Sequence, residues 1–229
     1  MNGAFMDRLN ECGRLLQVAL DFTDLREALK VASRLLGVSR AVILEAGTPL
    51  IKSYGIGSVS IIRSLAGDHL VVADMKTMDT GALEVSLAAS HGADASSVLA
   101  VAPRETISEA VSEAVERGIA IYGDLIGHPD PLDGVRQLDK LGVHIALLHV
   151  GVDVQRKLGL TAGSRAELVE TLRSEFKGPI AVAGGIKPDE AGLLADAGAS
   201  IVIIGSAITR SQDPRESLLK ALRNLDPGC

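Results

Sequence analysis

The sequence predicts an α/β chain folded as a single (β/α)8 TIM barrel, and three observations carry that prediction. Eight short runs rich in Val, Ile and Leu recur with amphipathic stretches of helical length between them, as parallel strands buried on both faces and joined by helices require. Seven of those runs are preceded by a Gly suited to the left-handed cap that ends a helix: Gly37, Gly67, Gly92, Gly118, Gly142, Gly178 and Gly198. Their spacings of 30, 25, 26, 24, 36 and 20 residues each hold about one strand, one helix and two short loops. No Pro/Ser-rich linker divides the chain, so residues 1–229 read as one domain.

In order, residues 1–13 precede the first run and are expected to form an extra helix. The eight strands are expected at about 15–20, 41–44, 70–73, 97–101, 119–122, 145–148, 180–183 and 201–204. Asp24-Leu-Arg-Glu27 and Ser164-Arg-Ala-Glu167 read as capping boxes at helix starts. Asp130-Pro131 and Asp213-Pro214 place Pro at the first helical position. A doubly wound open sheet also alternates strands with helices, but no Gly-x-Gly-x-x-Gly follows the first strand.

The 23 Lys and Arg against 29 Asp and Glu give a formal charge of −6, which repels phosphate backbones and anionic lipid, and no basic patch offsets it. With three Phe, two Tyr and no Trp, platforms for stacking bases or sugars cannot be built. Nucleic acid and polysaccharide are therefore not expected partners. A hydrophobic fraction of 47% with 23% charged residues excludes a disordered chain. Cys12 and Cys229 lie near opposite ends, as expected of free thiols in a reducing compartment, and cytoplasm is the expected location. The first 20 residues are broken by Asp7, Arg8, Glu11 and Arg14, and the longest stretch without Asp, Glu, Lys or Arg is residues 197–209. Neither a secretion signal nor a membrane span is expected.

In such a barrel the active site lies at the carboxyl ends of the strands, so the residues ending each aliphatic run are the candidates. The first run ends in Asp21, the second in Glu45, the third in Asp74 with Lys76, the fifth in Asp124 and the sixth in His149. The seventh and eighth end in Gly184-Gly185 and Gly205-Ser206. Bare N–H groups there, ahead of helices, make a cradle for a phosphate; a plain tight turn is the competing reading. Alternation places Asp74 and Lys76 on one side of the pleat, facing the mouth, with Asp79 in the following loop. Flanking carboxylates hold the ammonium protonated, so Lys76 should act as an acid or cationic clamp and not form a Schiff base. A surface salt-bridge network is the bland alternative, though charges facing a barrel interior are costly. Glu45 and Asp74 end adjacent strands and can converge on Mg²⁺, with waters and substrate oxygens completing the shell; a hydrogen bond between Glu45 and a loop backbone is the alternative. His149 can shuttle a proton near neutral pH, unless a neighbouring carbonyl merely satisfies it. His144 starts the same strand and reads as structural, His128 in the loop after Asp124 stays open, and Asp24 reads as a helix cap.

Asp74-x-Lys76-x-x-Asp79 after an aliphatic strand, with Asp21 after the first and His149 after the sixth, resembles the orotidine 5′-monophosphate decarboxylase superfamily. Within it, Ala73-Asp-Met-Lys-Thr-Met-Asp-Thr-Gly81 is similar to the 3-hexulose-6-phosphate synthases, a family of formaldehyde-fixing aldolases. Leu44-Glu-Ala-Gly-Thr-Pro-Leu-Ile51, Asp124-Leu-Ile126, His149-Val-Gly-Val-Asp-Val-Gln155, Ala181-Val-Ala-Gly-Gly-Ile186 and Ile204-Gly-Ser-Ala-Ile-Thr209 resemble that family in the same order, so the likeness covers nearly the whole chain.

The resemblance implies a magnesium-dependent aldol reaction interconverting ribulose 5-phosphate plus formaldehyde with D-arabino-hex-3-ulose 6-phosphate through an enediolate. It implies Glu45 and Asp74 as metal ligands, Lys76, Asp74 and Asp79 in the charged catalytic array, and His149 in proton transfer. Asp21 and Asp124 become substrate contacts, and Gly184, Gly185, Gly205 and Ser206 the phosphate loops. It also implies a homodimer in which Asp79 reaches the partner's site. The sister family, 3-keto-L-gulonate-6-phosphate decarboxylase, looks similar but carries Arg where this chain has Val152 and Glu where it has Asp124, which favours the synthase. Orotidine decarboxylases usually carry Pro-Gly after strand seven and Arg after the eighth-strand Gly, where this chain has Gly184-Gly185 and Ser206. Gly127 stands where an Asn is more usual. A non-catalytic sugar-phosphate-binding barrel is the alternative from another class.

Overall fold

The computed structural model describes residues 3–151 and 162–229. In chain order these form α1 (Ala4–Cys12), β1 (Leu15–Leu20), α2 (Leu25–Leu35), β2 (Val42–Ala46), α3 (Thr48–Tyr54), α4 (Gly57–Ala66), β3 (Leu70–Thr77), α5 (Gly81–Ser90), β4 (Ala95–Leu99) and α6 (Arg104–Arg117). There follow β5 (Ala120–Asp124), α7 (Pro131–Lys140), β6 (Ile145–His149), α8 (Ala162–Glu175), β7 (Ile180–Ala183), α9 (Ala191–Asp196), β8 (Ala199–Ile204), α10 (Ser206–Thr209) and α11 (Pro214–Leu225). The strands pair in parallel in sequence order, and β8 returns to β1 with Leu15 beside Ile201, closing the expected (β/α)8 barrel. Closure leaves no free sheet edge, and aliphatic side chains from the strands fill the interior against the helices.

Under the amino-terminal ends of the strands, α1 begins beside Gly118. Its buried Phe5 meets the Tyr122 ring edge-on, with centroids 5.8 Å apart.

Several strands run further than their aliphatic content indicates. β2, β3, β5 and β6 extend to Ala46, Thr77, Asp124 and His149, so Glu45, Asp74, Asp124 and His149 belong to the strands and point from rigid backbone. β4 begins at Ala95, two residues before the expected start, because Ser96 and Ser97 pair through their backbones despite their polarity.

Helix starts follow the expectation where Asp precedes Pro: Asp130 and Asp213 each accept two backbone N–H bonds at N-caps. Asp24 caps α2 by accepting from the Arg26 N–H at 2.8 Å, and among the described residues no bond returns from Glu27. Ser164 is not a cap, since it lies within α8. Six of the seven expected capping glycines have positive φ. Gly178 is small for a different reason: a Cβ there would stand 2.6 Å from the His144 carbonyl oxygen.

The cysteines correct the sequence reading, for Cys12 and Cys229 form a disulfide across 217 residues. Closing the barrel brings both chain ends together, so separation along the chain said nothing about separation in space. The Gly228 N–H donates to the Cys12 carbonyl at 2.8 Å, and Ser39 Oγ donates to the Cys229 carbonyl at 3.1 Å, which seats the tail beside the bridge. Closing so long a loop constrains the unfolded chain by roughly 2–4 kcal/mol. Reduction, or Cys229→Ser, is expected to lower Tm by about 5 °C or more, read by calorimetry with and without reductant. Equal melting points would show that the bridge adds nothing to stability. Among the described residues no helix is long and apolar enough to cross a membrane.

Candidate active site

A cavity of about 680 Å³ opens among the carboxyl ends of the strands, and Asp21, Glu45, Asp74, Lys76, His149, Gly184, Gly185, Gly205 and Ser206 all line it. The expected residues therefore converge, with two exceptions, Asp79 and Asp124.

Lys76 reaches the cavity by a route that simple alternation does not describe. The β3–β4 register shifts between Ala73 and Thr77, and Lys76 takes φ of +48°, a left-handed conformation that costs a non-glycine residue energy. Its N–H leaves the ladder and donates to Ser97 Oγ at 2.9 Å. The bulge turns the ammonium back over the strand end, where Nζ stands 2.8 Å from Asp74 Oδ2 and 3.0 Å from Asp124 Oδ2. Burial opposes this charge, but Asp74 and Asp124, by charge and hydrogen bond, overcome it and raise the lysine pKa. Lys76 is thus a fixed cation.

Asp124 stands behind the cavity wall. It is fully buried and does not line the cavity. Oδ1 accepts the Ile126 N–H at 2.9 Å, while Oδ2 faces both Lys76 Nζ and His149 Nδ1, the latter at 3.1 Å. Burial pushes its pKa up; bond and charge from His149, the Lys76 charge and the Ile126 N–H outweigh burial and hold it below the usual carboxylate range. An ionised carboxylate only accepts, so His149 Nδ1 carries the proton between them and Nε2 is the ring nitrogen not engaged by Asp124. Asp124 in this position orients His149 and Lys76.

Three carboxylates share the cavity. Glu45 is pushed well above its usual pKa by burial and by Asp74 and Asp21, against a smaller opposing pull from Gln17 and Lys76. Asp21 is raised by desolvation and then by Asp74, with Lys76, His149 and Arg210 pulling the other way. A Cβ on Gly47 would overlap Asp21 Oδ1, so glycine there makes room for the carboxylate. Asp74 Oδ1 accepts from Lys76 and from Ser97 Oγ at 2.8 Å, and Oδ2 from Lys76 and from Thr48 Oγ1 at 2.7 Å. Glu45 Oε2 accepts from Gln17 Nε2 at 2.6 Å, while Oε1 takes no hydrogen bond among the described residues.

Crowded, partly desolvated hard oxygens with one unpaired acceptor fit a hard dication such as Mg²⁺, which usually takes only one or two protein carboxylates beside water and substrate oxygens. Among the described residues no three His, Cys, Asp or Glu side chains form a protein-only metal shell.

The opposite wall is backbone. Gly184 and Gly185 have φ of +110° and +66°, open to glycine and strained for other residues, and Arg210 stands near as a cation. Asp79 is exposed, accepts the Thr80 N–H, and does not line its own chain's cavity. His144 accepts the Ile121 N–H at 3.1 Å at the far end of β6, a structural role. His128 accepts the Asp130 N–H at the start of α7 and stays outside the cavity. Val152 and the rest of 152–161 lie outside the described residues.

Sequence reasoning did not single out Gln17, Thr48, Ser97, Tyr122 or Arg210, all at the cavity wall. Gln17 carried a signal: an amide in the middle of Leu-Leu-Gln-Val-Ala-Leu, a strand buried on both faces, needs a buried partner.

The sequence model of the Orotidine 5'-phosphate decarboxylase / HUMPS family matches residues 14–221. The "Bifunctional enzyme Fae/Hps" of Methanococcoides burtonii is 37% identical over 211 residues, covering 92% of this chain and 53% of the relative. The chain spans about half the length of the curated relatives it matches. Two crystal structures of 3-hexulose-6-phosphate synthase, one from Salmonella typhimurium, are each 33% identical with TM-scores of 0.85 and 0.84, covering 92% of this chain and 99% and 98% of theirs. 3-Keto-L-gulonate-6-phosphate decarboxylase from Vibrio cholerae is 27% identical with a TM-score of 0.78, covering 93% of this chain and 97% of that one.

Proposed function

Because the chain belongs to the orotidine 5′-phosphate decarboxylase / HUMPS family, we propose that it is a magnesium-dependent aldolase interconverting ribulose 5-phosphate plus formaldehyde and D-arabino-hex-3-ulose 6-phosphate. The observation that carries this reading is the Asp74–Lys76–Asp124–His149 array, which holds a fixed cation and an oriented base at the mouth of one cavity. Likeness to an Hps-containing enzyme and to 3-hexulose-6-phosphate synthase structures supports it.

Glu45 and Asp74 would hold Mg²⁺, which when bound polarises the sugar's carbonyl and neighbouring hydroxyl oxygens. Gly184, Gly185, Gly205 and Ser206 would take the phosphate through backbone N–H groups, with Arg210 adding charge. Asp21 would accept a sugar hydroxyl. His149 Nε2 would move the proton at C1, with Asp124 holding the imidazole in the tautomer this needs. Lys76 would meet negative charge as it develops on oxygen in the enediolate, an interaction stronger in the transition state than before it.

A homodimer completes the reading. Asp79 lies away from its own cavity, and Met78, Leu83, Leu87 and Val101 on the same stretch and its neighbours are large apolar side chains left exposed. Asp79 would enter the partner's site.

Ribulose 5-phosphate with formaldehyde, assayed with and without Mg²⁺, tests the proposal, with 3-keto-L-gulonate 6-phosphate as the rival substrate. Formaldehyde-dependent turnover that a chelator stops is expected. Faster decarboxylation of the gulonate would assign the sister activity. Thermal stabilisation by sugar phosphate without turnover of either would favour a binding protein.

A further inference from the structure

Below the carboxylates, the cavity floor holds a polar chain that the proposed reaction does not use. Tyr122 on β5 donates its phenolic O–H to Gln17 Oε1 at 2.8 Å, and Gln17 on β1 donates from Nε2 to Glu45 Oε2 at 2.6 Å. All three side chains are at least nine-tenths buried, with exposures of 1%, 2% and 6%. Phe5 of α1 packs edge-on against Tyr122 and fixes the ring from below. Buried polar groups are costly unless satisfied, and these three satisfy one another in a line that runs from the floor to the carboxylate.

The donors dictate the direction of the chain. Gln17 turns its NH₂ group to Glu45 Oε2 and presents its carbonyl oxygen to the Tyr122 phenol on the floor. Against the ionised Glu45 that a cation requires, a flipped amide would set two oxygens against each other. The phenol donates to that carbonyl oxygen and holds the amide in the one orientation that serves Glu45. The hydrogen bond ties down Oε2 and leaves Oε1 as the acceptor with no partner among the described residues.

We propose that Gln17 and Tyr122 are positioning residues that fix the Glu45 carboxylate for a divalent cation, Gln17 directly and Tyr122 by setting the Gln17 amide. This rests on the magnesium reading above and adds that the metal affinity of this chain depends on a phenol that reaches Glu45 only through the Gln17 amide. Partners of metal ligands typically contribute 10- to 100-fold in affinity, which sets the scale.

The test measures Mg²⁺ affinity by calorimetry on the whole chain, alongside Tm, for the wild type, Tyr122→Phe, Gln17→Met and the double variant. Gln17→Met is expected to weaken binding about tenfold or more, and Tyr122→Phe about three- to tenfold. The double variant should bind no more weakly than Gln17→Met, because the phenol acts only through the amide. Tyr122→Phe, which removes one oxygen, carries the test alone if Gln17→Met does not fold. A merely structural role would lower Tm with Mg²⁺ affinity unchanged, and that result overturns the proposal while leaving the magnesium reading intact. Multiplicative losses in the double variant would overturn the ordered chain. A wild type that binds no Mg²⁺ overturns both readings together.

Discussion

Lys76→Met is expected to lower kcat by about 10²–10³-fold and to destabilise the fold by roughly 3 kcal/mol. The first figure is that of removing one fixed donor from where charge develops. The second follows from breaking a largely buried ion pair on one side, which leaves Asp74 and Asp124 without their shared cation. Steady-state kinetics and calorimetry at neutral pH check both, and a variant within threefold of wild-type kcat would remove Lys76 from the mechanism. The pH dependence has a definite sign. Asp124, held below the usual carboxylate range when folded, contributes stability that is present above about pH 4 and lost as pH falls through its folded pKa. Without Lys76 one of the groups holding it down is gone, so the acid limb of Tm against pH should move to higher pH.

His149→Ala is expected to slow exchange of the C1 proton of ribulose 5-phosphate in heavy water by about 10²–10⁴-fold, the usual contribution of a placed base. NMR of the substrate without formaldehyde isolates this step from carbon–carbon bond formation. Wild-type exchange rates in the variant would show that another group moves the proton. Asp124→Asn makes a companion. The amide can donate to Nδ1, which shifts the ring proton to Nε2 and disables the base while leaving its place in the fold. The two variants should fall together, the asparagine variant by less.

The barrel was legible because its signal is repeated: each unit carries an apolar run and, in six of seven cases, a glycine that must adopt positive φ. The site was legible at strand ends for the same reason, since the fold fixes where those residues go. What escaped was three-dimensional partnership. The resemblance implies Asp124 as a substrate contact, but only the structure shows its oxygens facing Lys76, His149 and the Ile126 N–H. Lys76 arrives through a bulge whose left-handed backbone no alternation rule foresees. Gln17 finds Glu45 across 28 residues and Tyr122 across 105, and Cys12 finds Cys229 across 217, distances at which local pattern carries no information.

The bond between Cys12 and Cys229 makes nearly all of the backbone one covalent loop. A single proteolytic nick anywhere inside that loop opens the circle without separating fragments, so the products would travel as one species on a denaturing gel until a thiol is added.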